Sequence, residues 1–342
     1  MEAYYLRCRS KISTVLSWTW NNAWKAKDEI SVEHGHIVYR SRIRTPILCI
    51  IFLTCILSYG SAYCSSSSPK GIEEMRFKYH EVEAQLMKNN FGIPLNIESI
   101  KENNTMYGDV YGIIDHPFDN VRRTLGVSAN WCDIMSLHLN IKACTYRKLN
   151  HRYLLTLYCG RKFYQPPEDT YQIPYEYRIT SQQRGYIQVL LTADKGPLNT
   201  KNHQIKVEAI PLDKHRTFIH LSYGYSYGNL LSMAMKSYFA TFGHGKIGFS
   251  MESTDEQNNP VYVDGIRGVI ERNSVRYYLA IQSYMDTLKF PPEKRFEKRI
   301  GKWYDLTDQF KKQLFEMKKE EYCNYKKQER LNQLTLQSGL SK

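Results

Sequence analysis

The chain has 342 residues, 42% of them hydrophobic and 24% charged, an ordinary globular mix that excludes a generically disordered chain. A mean hydropathy of −0.52, with one apolar run approaching membrane length, excludes a multi-spanning transporter or channel. The net charge of +13 is spread along the chain: 8 Lys/Arg against 4 Asp/Glu in residues 1–45, 26 against 22 in 46–290, and 13 against 8 in 291–342. It forms no basic stripe of the kind that tracks nucleic acid, and no nucleic-acid partner is expected.

Residues 1–45 are a basic extension without clear periodicity. Arg40-Ser41-Arg42-Ile43-Arg44, the apolar run Ile47–Leu57 and Gly60-Ser61-Ala62 follow in the order basic, apolar, small, which assigns 46–64 to a signal peptide or anchor. The 11-residue apolar core is short for about 30 Å of hydrocarbon. Cleavage after Ala62 is therefore expected, and an uncleaved anchor is the alternative. Lipidation of Cys64 ranks behind both, because Ser61 and Tyr63 stand where aliphatic and small residues belong. Either translation begins downstream of Met1, with Val38 well placed, or residues 1–45 are a cytoplasmic extension. Both versions place the protein across the inner membrane, periplasmic or anchored.

Residues 65–71 read as a Ser-rich linker, and 72–104 as a helix with its connection. The helix, Ile72–Asn90, carries Met75, Tyr79, Val82 and Leu86 at spacings of 4, 3 and 4. A strand follows at Met106–Asp115 and stops at His116-Pro117. Pro117 can open a helix, and Val121, Leu125, Trp131, Ile134 and Leu137 continue an apolar period broken near Gly126, giving two short helices. From Leu139 to Val263 the texture is β-branched and aromatic, with at least five antiparallel strands at 153–158, 171–180, 186–193, 203–210 and 217–227. In the last of these, Ile219, Leu221, Tyr223, Tyr225 and Tyr227 share one face, while His220, Ser222, Gly224 and Ser226 share the other. A helix at Leu230–Phe242 precedes strand texture at Lys246–Glu252 and Val261–Ile266.

A long apolar helix spans Val269–Leu288, with Arg272, Arg276, Ser283 and Asp286 as a narrow polar stripe. Beyond Pro291-Pro292, residues 291–342 form a basic helical tail in which Phe296, Ile300, Trp303, Phe310, Leu314 and Met317 repeat in a near-heptad. This tail is expected to dock outside the domain, its lysines either solvated or lying against a membrane surface.

Eight cysteines occur without a C-x-x-C pair or a Cys/His cluster at zinc spacing, so neither metal nor cofactor is expected. Cys132 and Cys144 flank a loop whose closure would stabilise by about 2 to 4 kcal/mol. A disulfide between them is expected, and the competing reading makes each a small buried hydrophobe. Gly243-His244-Gly245-Lys246-Ile247-Gly248 matches G-x-G-x-x-G, but a helix precedes it and a strand follows, the reverse of a dinucleotide site. Cys132 and His138 could make a nucleophile pair only if they faced each other across a helix-to-strand junction, and no catalytic residue is assigned.

The order strand, two helices, antiparallel strands, long helix resembles the helix-grip fold of the START-like (SRPBCC) superfamily over residues 105–290. Asp109–Asp115, His116-Pro117-Phe118 and the helix opening at Arg267-Gly268-Val269-Ile270-Glu271-Arg272-Asn273 carry the resemblance. The layout is also similar to an uncharacterised group of exported bacterial proteins. It implies an α+β domain with a curved antiparallel sheet around a C-terminal helix, flanked by N- and C-terminal helices. It also implies a mainly apolar cavity for a hydrophobic or amphipathic small molecule such as a lipid. Tyr223, Tyr225 and Tyr278 offer apolar bodies with polar tips for such a ligand, and Arg267, Arg272 and Arg276 either hold an anionic head group or tie helix to sheet. The alternatives are an enzyme on the same fold and an envelope interaction module with a filled core.

Overall fold

Alternation of apolar and polar residues puts one face of each strand against a common core. The computed structural model describes residues 70–89, 91–102, 104–228 and 245–340, all within the unit Ser67–Lys342. The expected extension, signal region and Leu230–Phe242 helix lie outside the described residues. Helix α1 (Lys70–Met87) leads into β1 (Leu95–Glu102) and β2 (Thr105–Ile114). Helices α2 (Phe118–Leu125) and α3 (Ser128–Met135) follow. Six strands come next: β3 (Ile141–Leu149), β4 (Arg152–Cys159), β5 (Tyr171–Gln183), β6 (Tyr186–Lys195), β7 (Lys201–Pro211) and β8 (Thr217–Ser226). A small hairpin, β9 (Met251–Thr254) and β10 (Pro260–Tyr262), precedes the long helix α4 (Gly265–Thr287). Helices α5 (Pro292–Asp308), α6 (Lys311–Leu314) and α7 (Lys319–Leu340) complete the described chain.

The fold is α+β with the helix-grip layout: one curved antiparallel sheet in the order β1-β2-β8-β7-β6-β5-β4-β3, with α4 on its inner side. Gly108 and Gly112 on β2 let α4 approach closely, since a Cβ at either would meet Ser274 Oγ or the Tyr278 ring. Ser274 Oγ donates to Gly108 O at 2.9 Å. Between β2 and β3, α2 ends on Leu125, whose carbonyl accepts both Trp131 Nε1 at 2.8 Å and Tyr177 Oη at 2.9 Å. Two buried aromatic residues thereby satisfy a helix-end carbonyl that would otherwise lack a partner. A disulfide joins Cys132 on α3 to Cys144 on β3.

The structure departs from the expected elements at four places. Strands β1 and β3 are additional: Leu95 and Ile97 make too short an alternation to read, and β3 ends in a run of exposed residues. The strand texture at 246–266 forms only the separate β9–β10 hairpin, turned at Asp255, whose carboxylate accepts the Gln257 and Asn259 N–H groups. The polar stripe of α4 is largely buried, because Arg272, Arg276 and Ser283 face other protein segments rather than solvent.

The tail beyond Pro291 is the fourth correction, because it belongs to the core instead of lying outside it. Ile300, Trp303, Leu306, Phe310, Leu314 and Tyr322 pack in the same apolar cluster as the sheet. Trp303 Nε1 donates to Arg276 O at 3.1 Å and its ring stacks on Tyr322. Helix α7 also covers the edge strand β3. Gln333 Oε1 accepts the Cys144 N–H at 3.0 Å, and Gln337 exchanges two hydrogen bonds of 2.9 Å with the Tyr146 backbone. Beneath them, buried Lys142 and Lys326 share Glu329. Among the described residues no helix is long and apolar enough to cross a membrane.

Candidate functional site

Between the inner face of the sheet and α4, six rings follow one another in contact. His138 stacks on Tyr277 at 4.8 Å, Tyr277 meets Tyr223 edge-on at 5.3 Å, and Tyr223 lies 5.8 Å from Tyr225. Tyr225 stacks on His203 at 5.2 Å, and His203 meets Tyr175 at 6.3 Å. Period-2 geometry explains the convergence: Tyr223 and Tyr225 lie on the β8 face that carries Ile219 and Leu221, His203 begins the β7 face of Ile205 and Val207, and Tyr175 follows Ile173 on β5. Tyr277 comes down from α4 to close the chain of rings.

The polar tips of these rings differ in how far other described residues satisfy them: His138 meets Asn273 and the Asn140 N–H, and the phenols are left over. The phenols of Tyr175, Tyr223, Tyr225 and Tyr277 make no hydrogen bond to another described residue, whereas Tyr177, Tyr278 and Tyr284 each donate one. His203 accepts or donates through Nε2 to Thr200 Oγ1 at 2.8 Å, while its buried Nδ1 has no partner. Burial pushes the Tyr175 and Tyr223 phenols well above their ordinary range, Tyr277 upward as well, and Tyr225 up to about 12. Burial likewise pulls His203 down to about 4 and raises the free Cys159 thiol to about 12. These rings are therefore neutral near pH 7. They offer aromatic faces and uncharged hydrogen-bonding tips, with no thiolate among them.

Of the residues singled out in the sequence, Tyr223 and Tyr225 lie in this chain of rings. Tyr278 points the other way, its hydroxyl 3.4 Å from Ile113 O over Gly112. Arg267 reaches Glu252 at 2.9 Å and Ser99 at 3.1 Å, and Arg272 donates to the carbonyls of Lys246 and Ile247. Arg276 lies beside the rings and pairs with Glu316 at 3.1 Å. Glu271 accepts Ser99 Oγ and the N–H groups of Phe249 and Ser250, which ties α4 to β1 and the β9 approach. The structure thus brings Tyr223 and Tyr225 together with Tyr277, Tyr175 and His203, three residues the site assignment omitted. Their signal was a histidine on the otherwise apolar face of β7, a pair of tyrosines after Ile173 on β5, and the tyrosines of α4. Cys132 is disulfide-bonded and carries no free thiol, so it forms no nucleophile pair with His138.

A second polar cluster lies on the outer face of the same strands, under α1. His220 places Nδ1 2.9 Å from Glu208 Oε2 and Nε2 2.8 Å from Asp109 Oδ1, so both ring nitrogens face carboxylates. Burial pulls the imidazole pKa down, but hydrogen bonds and charge from Asp109 and Glu208 outweigh it and raise the value. Glu208 also accepts Tyr186 Oη at 2.7 Å, Gln188 Nε2 at 2.9 Å and Lys206 Nζ at 2.8 Å. Tyr111 stacks on His220 at 4.4 Å, and Ile72, Met75, Val82 and Leu86 of α1 pack in the cluster above. Among the described residues, no group of three or more His, Cys, Asp or Glu side chains is placed to hold a metal ion.

No protein-family model matches this sequence, and no curated protein matches it. Solved structures resemble it in fold. A conserved protein of unknown function from Enterococcus faecalis is similar at 12% identity and a TM-score of 0.32, over 66% of this chain and 95% of its own. Human StAR-related lipid transfer protein 5 is similar at 13% identity and a TM-score of 0.28, over 49% and 88% of the two chains. Norcoclaurine synthase from Thalictrum flavum, in complex with dopamine and hydroxybenzaldehyde, gives 9% identity and a TM-score of 0.30, over 42% and 82%.

Proposed function

We propose that this protein binds a hydrophobic or amphipathic small molecule between the sheet and α4. The observation that supports the reading is the buried Nδ1 of His203, which has no partner, beside four phenols that make no hydrogen bond to another described residue. Buried polar groups in folded proteins are nearly always paired, and leaving one unpaired costs about 1 to 3 kcal/mol. A core selected for packing alone would carry phenylalanine at these positions. Apolar surroundings with a few convergent polar tips are instead the composition of a small-molecule site. Aromatic faces would supply apolar contact, and the phenols would orient the polar end of the ligand.

The same reading places the protein outside the cytoplasm. It rests on the basic, apolar and small-residue order at 40–62 and on the Cys132–Cys144 disulfide, a bond that persists in oxidising compartments.

Native and then denaturing mass spectrometry tests the binding reading on protein expressed from the full-length sequence and purified without detergent. A releasable small molecule on the native ion is the expected result, together with displacement of the neutral fluorophore N-phenyl-1-naphthylamine by long-chain lipids. A bare chain that neither takes up the fluorophore nor shifts its melting temperature with any lipid would overturn the proposal.

A further inference from the structure

One carboxylate, Glu316, is held by three cations from three separate segments. Lys162, in the connection after β4, reaches Oε1 at 2.5 Å, and Arg276 of α4 reaches the same oxygen at 3.1 Å. Lys246, in the approach to β9, reaches Oε2 at 2.8 Å. Glu316 itself lies outside any helix, on the connection between α6 and α7, next to the exposed Phe315. Burial pushes its carboxyl up, but the hydrogen bonds and charges of Lys162, Lys246 and Arg276 outweigh that and hold it at about 2. The cluster carries two positive charges more than its single carboxylate balances. It is also not saturated: Arg276 gives Glu316 one terminal nitrogen, and its buried Nε has no partner. A guanidinium binds carboxylate or phosphate best through two parallel donors, whereas here Glu316 takes only Nη2, which Leu314 O shares at 3.4 Å, and Nε is left over.

The cluster adjoins the rings through one turn of α4. Arg276 Nη1 and His138 Nε2 both approach Asn273 Oδ1, at 3.4 and 3.3 Å, and His138 stacks on Tyr277. Lys162 and Lys246 are half-exposed, at 37% and 35%, while the side chains of Arg276 and Glu316 are only 4% and 8% exposed. The order from solvent inward is therefore lysines, carboxylate, guanidinium, rings.

From this arrangement we infer that Lys162, Lys246 and Arg276 form the head-group site for an anionic amphiphile, and that Glu316 is a tethered carboxylate occupying that site until the ligand displaces it. The inference rests on the proposed binding function and narrows its ligand to molecules bearing a carboxylate or phosphate on an apolar body. An incoming anion replaces Glu316 on the three cations and can engage the unused Nε of Arg276. The displaced Glu316 moves to solvent on its short connection, so no buried charge is left unpaired.

The test compares oleate, oleyl phosphate and oleyl alcohol as competitors of N-phenyl-1-naphthylamine, on the full chain and on two variants. Glu316→Gln removes the tethered competitor and is expected to tighten oleate and oleyl phosphate about tenfold while leaving oleyl alcohol unchanged. A double variant at the two half-exposed lysines, Lys162→Gln with Lys246→Gln, is expected to weaken both anions by a similar factor, again sparing the alcohol. The ratio of oleate to oleyl phosphate then distinguishes carboxylate from phosphate ligands. If all three compounds bind and both variants change them equally or not at all, the head-group site is overturned while the binding function stands. If none of the three binds the unaltered chain, both fall together.

Discussion

The two faces of β8 handle buried polarity in opposite ways. On the outer face, His220 is paired at both ring nitrogens, and Glu208 gathers donors from His220, Tyr186, Gln188 and Lys206. On the inner face, three and five residues further along the strand, Tyr223 and Tyr225 point into the fold with aromatic neighbours but no hydrogen-bond partner among the described residues. Both faces are buried and both are covered by a helix. A saturated network of this kind defines one packing of α1 on the sheet and leaves nothing for a ligand to satisfy. An unsaturated one keeps its donors available. Burial alone therefore does not separate the two faces; what separates them is how many of their polar groups other described residues satisfy.

Removing His220 should break this comparison most strongly. His220→Leu leaves Asp109 and Glu208 as buried carboxylates without their shared cation, and about 3 to 5 kcal/mol of stability is expected to be lost in urea titrations. Retention of full stability would show that the outer network is not structural. A pH titration of stability sharpens the same point without mutation. Because the folded pKa of His220 is raised above 6.5, its contribution is complete below about pH 6.5 and is lost as pH rises through the folded value. The midpoint of urea unfolding should therefore fall on the alkaline side, and a flat profile from pH 6 to 9 would contradict the assignment.

The smallest effects come from a matched pair of hydroxyl deletions. Tyr186→Phe takes a donor from the Glu208 carboxylate and is expected to cost about 1.5 to 3 kcal/mol. Tyr223→Phe removes a phenol without a partner among the described residues, so stability should hold or rise, by at most about 1 to 3 kcal/mol, while affinity for an amphiphile falls several-fold. Equal losses of stability in the two variants would erase the distinction between the faces.

Local patterns carried much of this architecture. The β8 alternation separated Tyr223 and Tyr225 from His220, and the apolar span at 269–288 marked α4, which starts four residues earlier than its apolar period shows. Pro117 marked the entry to α2 and α3. The roles of the α4 arginines were not legible in the same way. Periodicity says which residues share a side of a helix but not what covers that side. Arg276 meets Glu316, 40 residues away, and Arg272 meets carbonyls 25 and 26 residues away. The tail was misplaced for the same reason: its near-heptad showed an apolar face, while only the tertiary structure shows that face joining the main core. His203 was hidden because a single polar residue on a strand's inner face gives no periodic signal, and Tyr175 because alternation does not separate it from Tyr177 on the same face of β5.

The cover of β3 has a consequence for the order in which the molecule can be completed. The backbone of Cys144 and Tyr146 is capped by side chains 189 and 191 residues later in the chain. During synthesis, β3 and its neighbours leave the ribosome long before α7 does. Until then the sheet presents an open edge, which can template pairing with another molecule. The last helix acts as the closing step of assembly, and chains interrupted before it should be the species most inclined to join edge to edge.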